Sequence, residues 1–257
     1  FPSVGATENI IIAACRAKGT TVITNAAREP EIWDLADFLN ACGAKIYGAG
    51  ESTVVIEGVK SLSGCEHSVI PDRIAASTFL TAAAITGSTL TVSKIIPEHI
   101  APIIPILEEC GCRFDVNKNS IKITSPKRLG RVKSVRTMPY PGFPTDAQAP
   151  VMAMTTLSDG TSIFVETIFE SRYKHVGELL RLGANIKVEG RVAIVEGVSR
   201  LSGAPVEAAD LRGGAALVVA GLAAQGVTQI SGLKHLDRGY ESLEKSLASL
   251  GADIKRI

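Results

Sequence analysis

Histidine is scarce in this chain: there are four in 257 residues, and no HExxH pair occurs among them. A metal site is therefore not expected. An excess of charge of one sign is also lacking, since 27 Lys and Arg stand against 26 Asp and Glu, a formal net charge of +1. That balance supplies no global field to draw in nucleic acid or an acidic membrane, so neither is expected as a partner. An anionic substrate would have to be met by a local arginine cluster. Long apolar runs are missing too; stretches such as 215–224 fall far short of a membrane span. Phe1-Pro2-Ser3-Val4-Gly5 carries no basic region and no signal-peptide core, and no methionine stands at position 1. The expectation is a chain that starts in the middle of something longer. The cysteines, Cys15, Cys42, Cys65, Cys110 and Cys112, are odd in number and fit no zinc spacing. Reduced thiols in a cytoplasmic protein are the expected reading. What is present, 46% hydrophobic and 21% charged residues, is enough for a sizeable core in one large domain or two smaller ones.

The chain repeats itself. Gly43-Ala44, Gly111-Cys112, Gly183-Ala184 and Gly251-Ala252 each follow a leucine-bearing helical run, at intervals of roughly 70 residues. Gly19-Thr20-Thr21, Gly87-Ser88-Thr89, Gly160-Thr161-Ser162 and Gly226-Val227-Thr228 keep the same beat. A third marker, Glu-Gly-Val followed by Leu-Ser-Gly, occurs at 57–64 and again at 196–203. Within each repeat an apolar helix, such as 75–85, ends at glycine and a β-branched strand such as 89–92 follows. A second helix opens near a proline or an acid, as at Pro30-Glu31 and Pro97-Glu98, and closes at the Gly-Ala marker. One or two strands come after it, such as 54–56 and 192–195. The unit is α-β-α-β-β. Three such units from about residue 70 onward predict one compact domain with sheets outside and helices inside. The first unit stands apart and cannot bury its own sheet and helices.

Five segments carry a family resemblance: residues 25–31 (NAAREPE), 143–146 (FPTD), 170–173 (ESRY), 210–212 (DLR) and 235–241 (HLDRGYE). Together they resemble the UDP-N-acetylglucosamine 1-carboxyvinyltransferases, the enolpyruvyl transferases that begin peptidoglycan precursor synthesis. That family moves the enolpyruvyl group of phosphoenolpyruvate to the 3′-hydroxyl of UDP-N-acetylglucosamine and releases phosphate. The resemblance runs from Phe1 to Ile257 and covers roughly the last three fifths of the family's usual length. It implies an α/β fold of the inside-out barrel type, in two domains of three repeats with the active site between them. Residues 1–69 would be the last repeat of the first domain, and 70–257 the three-repeat second domain. The sister 3-phosphoshikimate 1-carboxyvinyltransferases share that fold and remain an alternative. So does a truncated, non-catalytic paralogue that binds the UDP-sugar.

The resemblance implies roles for particular residues. Asp146 would be the general base for the sugar hydroxyl. The pattern alone allows a plainer reading, because Asp72, Asp146 and Asp210 recur at three helix starts, where a carboxylate can simply cap free N–H groups. Arg212 and Arg238 would clamp the anionic groups of phosphoenolpyruvate and of the tetrahedral adduct, which a guanidinium can grip with two parallel bonds. Arg73 and Arg172 occur at similar helix starts and could line the same cleft or serve as structural ion-pair partners. Ser3, Val4 and Gly5 precede an apolar helix, whose N-terminus would hold the UDP diphosphate. Ile168 falls where the family contacts the nucleotide sugar through its backbone. No cofactor is implied. The family's Lys-Asn pair and its acid-bearing cysteine loop have no counterpart here, so little turnover by this chain alone is expected. A missing N-terminal segment, or self-association through the first repeat, would be its further partner.

Overall fold

The computed structural model describes residues 1–257. Two compact units divide the chain, one of Phe1–Pro71 with Pro139–Gly142 and one of Asp72–Met138 with Phe143–Ile257. The first unit holds α1 (Val4–Ala14), β1 (Thr20–Thr24), α2 (Pro30–Ala41), β2 (Lys45–Tyr47) and β3 (Thr53–Glu57). Its antiparallel sheet has the order β1-β3-β2. Alternate residues of β3, Val54 and Ile56, turn inward onto Ile11, Ile32 and Ala36 of the two helices. Cys42, behind α2, faces Cys65 with the sulfurs 3.4 Å apart.

The second unit repeats that order. It opens with α3 (Arg73–Ile85), β4 (Thr89–Ser93), α4 (Pro97–Ile100), α5 (Ile104–Glu109), β5 (Arg113–Asn117) and β6 (Ser120–Thr124). Next come β7 (Ser134–Arg136), α6 (Thr145–Thr155), β8 (Thr161–Val165), α7 (Val176–Arg181), β9 (Asn185–Glu189) and β10 (Val192–Glu196). The last repeat has β11 (Pro205–Glu207), α8 (Leu211–Ala223), β12 (Gln229–Ser231), a 3-10 turn (Leu236–Arg238) and α9 (Leu243–Ser249). The sheets are β4-β6-β5, β7-β8-β10-β9 and β11-β12. Helices α3, α6 and α8 pack on one another at the centre, and most residues of each are buried. A helix that is apolar all round can only be an inner one. Small buried residues on these helices (Ala147, Ala149, Ala153, Ala215, Ala216) let the backbones approach. The sheets lie outside and send Ile121, Ile123, Phe164, Ala193 and Val195 inward from alternate positions. This is the inside-out arrangement that the repeat pattern predicts.

The sequence markers have physical causes. Each Gly-Ala or Gly-Cys marker ends a helix with glycine in the left-handed region, φ +98° at Gly43, +95° at Gly111, +91° at Gly183 and +99° at Gly251. The N–H of the next residue reaches back to close the last turn, as from Ala44 to Leu39 O and from Ala184 to Leu179 O, at 2.9 and 3.1 Å. The third marker places Gly58 and Gly197 against a backbone carbonyl. A Cβ there would lie 1.5 Å from Ala17 O and 1.7 Å from Ser158 O, so no side chain fits.

Two expectations need correction. The single second helix expected from Pro97 is broken into α4 and α5, because Pro102 has no N–H to continue the ladder and its ring crowds the preceding turn. The last repeat also lacks the closing strands of the α-β-α-β-β unit, and residues 252–257 form none. Elsewhere the strand after the Gly-Ala marker bonds only to the final strand of its own repeat, β2 to β3, β5 to β6 and β9 to β10. Within residues 1–257 the last repeat has no such partner.

Candidate active site

The three aspartates at helix starts part company in the structure. Asp72 caps α3, accepting from the N–H groups of Ile74 and Ala75 at 2.8 and 2.9 Å. Asp210 caps α8 through the N–H of Gly213 at 2.7 Å. At α6 the cap position is held by Pro144, which has no side-chain cap to give, and Asp146 lies inside the first turn. Its carboxylate is therefore free of the backbone and points elsewhere. Asp146 Oδ1 accepts from Arg172 Nη2 at 2.8 Å and from Arg212 Nε at 3.0 Å. No hydrogen bond falls on Oδ2. Pro150, inside α6, also offers no N–H to the carbonyl of Asp146 four residues earlier.

Both arginines are held from behind. Arg212 extends from the first turn of α8, its guanidinium carbon 5.9 Å from the Tyr240 ring centre and its Nη1 3.5 Å from the Tyr240 hydroxyl. Tyr240 is in turn joined to Thr78 of α3 by a 2.8 Å hydroxyl contact. Arg172 lies over the Phe169 ring at 5.1 Å and reaches Thr145 O at 3.4 Å. The arginine side chains are only 18% and 15% exposed, while that of Asp146 is 39% exposed. The carboxylate is thus the open member of the cluster.

Partial burial pushes the Asp146 carboxyl up, but the charges and hydrogen bonds of Arg212 and Arg172 outweigh it and hold the group below the usual carboxylate range. Asp146 is a carboxylate at neutral pH, as a base must be. It is a weak one while both guanidiniums sit on it. An anion that draws them away makes it more basic. Nearby His175 is pushed down to about 4, by burial first, with Arg172 adding to the effect and Asp210 opposing it. Its imidazole is neutral at pH 7, and its Cβ stands 3.0 Å from where a Cβ on Gly213 would lie.

The other residues expected from sequence fall as follows. Arg238 ends the 3-10 turn, is exposed, and makes no ion pair or hydrogen bond to the Asp146 cluster. Arg73, the first residue of α3, is buried at 7% exposure. Ile168 is half-buried and its N–H is taken by Glu166 Oε1 at 2.8 Å. Ser3, Val4 and Gly5 lie in the other unit, at the start of α1. Ser3 Oγ accepts from Ala6 N at 3.3 Å as the helix cap, and the first-turn N–H groups of Val4 and Gly5 remain as donors. Sequence reasoning missed Thr78, Glu166, Phe169 and Tyr240 as parts of the cluster. Glu166 carried one visible signal, a single acid inside the apolar run 163–169 that burial would force to find partners.

Relatives of known kind share this framework. A profile of the EPSP synthase (3-phosphoshikimate 1-carboxyvinyltransferase) family matches residues 1–247. The chain belongs to this family of enolpyruvyl transferases. It is 57% identical over 257 residues to UDP-N-acetylglucosamine 1-carboxyvinyltransferase 2 of Caldanaerobacter subterraneus, covering all of this chain and 62% of the relative. Over 255 residues it is 54% identical to the UDP-N-acetylglucosamine 1-carboxyvinyltransferase of Prochlorococcus marinus, covering 99% of this chain and 58% of the relative. The chain thus spans about three fifths of the length of these curated relatives. The crystal structure of the enolpyruvyl transferase NikO from Streptomyces tendae superposes with a TM-score of 0.88 at 29% identity, over 98% of this chain and 60% of that one. EPSP synthase from Acinetobacter baumannii superposes at 0.72 with 19% identity, over all of this chain and 62% of that one, a likeness of fold alone.

Proposed function

We propose that this chain carries the base and part of the anion clamp of an enzyme that transfers the enolpyruvyl group of phosphoenolpyruvate to the 3′-hydroxyl of UDP-N-acetylglucosamine. The observation that carries the reading is Asp146, a helix-start carboxylate that caps nothing and instead receives two arginines on one oxygen. As the hydroxyl oxygen bonds to C2 of phosphoenolpyruvate, the C2–C3 double bond opens, C3 takes a proton from a general acid, and the hydroxyl proton passes to Asp146, with Oδ2 the unengaged oxygen. Arg212 and Arg172 hold the substrate's phosphate and carboxylate, and fixed positive charge steadies the adduct that bears both groups. When the C2–O bond to phosphate breaks, C3 gives up a proton and the C2–C3 double bond re-forms, while the same guanidiniums hold the departing anion. Arg238 and Arg73 supply further positive charge to the anions, Ile168 contacts the nucleotide sugar through its carbonyl, and the start of α1 at Ser3, Val4 and Gly5 takes the diphosphate. The setting is peptidoglycan precursor synthesis in the cytoplasm, and residues 1–69 and 70–257 belong to different domains of the enzyme.

The family profile's description favours one second reading, with shikimate 3-phosphate as the acceptor. Saturation-transfer NMR on the 257-residue chain separates the two. UDP-N-acetylglucosamine is expected to receive magnetisation and shikimate 3-phosphate none, while Arg212→Ala weakens the phosphoenolpyruvate signal several-fold. Transfer to shikimate 3-phosphate alone overturns the assignment of the acceptor. Transfer to neither acceptor overturns this chain as a holder of either.

A further inference from the structure

Glu166 follows β8 and is buried at 1% exposure, yet its carboxylate has no arginine or lysine against it. Its partners are neutral donors instead. Oε1 accepts from Thr137 Oγ1 at 2.9 Å, Ile168 N at 2.8 Å and Phe169 N at 3.0 Å. Oε2 accepts from Thr145 Oγ1 at 3.0 Å. A second layer tightens the same turn: Thr167 N donates to Thr137 Oγ1 at 2.8 Å, and Thr167 Oγ1 donates to Thr137 O. Every one of the four direct partners donates a hydrogen bond, which suits a carboxylate, the side chain that only accepts. A buried acid held in this way costs its desolvation, and the hydrogen bonds offset it.

The two ends of that bonding pattern meet at the active site. Thr145 is the residue before Asp146 in the first turn of α6. Phe169 carries the ring beneath Arg172, and the turn that Glu166 fixes leads into Arg172 itself. Arg172 then bonds to both Thr145 O and Asp146 Oδ1. We infer that Glu166 is the positioning residue of the site: it ties the start of α6 to the 167–169 turn and so sets the approach of Arg172 to Asp146. It touches no substrate and acts only through those two residues. The role deepens the proposed reading of Asp146 and rests on it for its catalytic meaning.

The test reads the Asp146 carboxyl directly, with no ligand present, in the full 257-residue chain. The charged groups facing that carboxyl are Arg172 and Arg212, with the Tyr240 hydroxyl behind Arg212. Carbon-13 titration of the carboxyl is expected to give a midpoint below the ordinary aspartate value. In Glu166→Gln the amide turns an N–H toward donors, the turn loosens, and the midpoint rises by about one pH unit, the effect of one arginine drawn back. Thr145→Val removes a single neutral link and shifts the midpoint in the same direction by less, while Thr145→Ser keeps the hydroxyl and leaves it unchanged. A midpoint unmoved in folded Glu166→Gln overturns the inference. Should that variant not fold, an unmoved midpoint in Thr145→Val overturns it instead. The acceptor reading is judged by the ligand experiment, so the two can fail separately.

Discussion

Asp72, Asp146 and Asp210 stand at the starts of the inner helices of three repeats, and the residue that holds the cap position decides what each carboxylate does. Where the aspartate itself holds the cap position, its oxygens satisfy backbone N–H groups and the chemistry ends there. Where Pro144 holds it, the carboxylate one step inside the helix is released to the arginines. This has a consequence for acid stability. Because the folded state holds Asp146 below its ordinary range, the charged form is favoured by folding. Its contribution is present in full above the unfolded value of about 3.9 and is lost as the pH falls through the lower folded value. Asp146→Asn is therefore expected to lower the melting temperature at pH 7, with the gap to the unaltered chain narrowing below about pH 4. Thermal denaturation followed by circular dichroism at pH 7, 5 and 3 checks this; a gap that widens on acidification contradicts it.

At the scale of elements, the markers that reveal the period are the points where the backbone tolerates only glycine, and they do so for two different reasons. Gly183 is required by its dihedral angle, φ +91°, in open space. Gly197 is required by a neighbour, since a Cβ would stand 1.7 Å from Ser158 O. Gly183→Ala should cost about 1–2 kcal/mol, the left-handed penalty of one residue. Gly197→Ala must move backbone and should cost more, about 2–3 kcal/mol, in the range of overpacked sites. Urea midpoints of the two variants test the order, and the reverse order would count against this account. Such local constraints are why the repeats and the inside-out barrel were legible in the sequence. The break between α4 and α5 was not, because a proline can open a helix, as Pro97 does, or break one, as Pro102 does, and the apolar run around both reads as one helix. The site was legible only through resemblance. Arg212 and Asp146 are 66 residues apart and Thr78 and Tyr240 are 162 apart, separations at which no periodicity operates. Glu166 went unread because an acid at the end of a strand can as easily face water, and only the fold shows which side it takes.

For the whole molecule, the two units bury very different cores under the same repeat plan. The second gathers residues from three inner helices and their sheets into one contiguous cluster, while the first has a small cluster around Ile11, Ile32, Val54 and Ile56. The first also leaves Ile12 at 53% and Trp33 at 49% exposure on its helices. Opening free energy scales with the apolar area that a cooperative region buries, so the smaller unit should open more often. Strands β3 and β10 make a matched pair for testing this. Each is an inner strand with an antiparallel neighbour on either side, and each carries fully buried residues, Val54 and Ile56 in one, Ala193 and Val195 in the other. Over Val55–Glu57 and Ile194–Glu196 both neighbouring strands are paired and the middle residue is buried, so a difference in amide exchange between these two stretches reports the size of the region that must open. Amides of β3 are expected to exchange faster than those of β10 by roughly tenfold or more at neutral pH, about 1.4 kcal/mol of opening free energy. Hydrogen exchange read by mass spectrometry on peptic fragments covering 53–57 and 192–196 measures it. Equal protection of the two strands would mean that core size does not set the opening of the first unit.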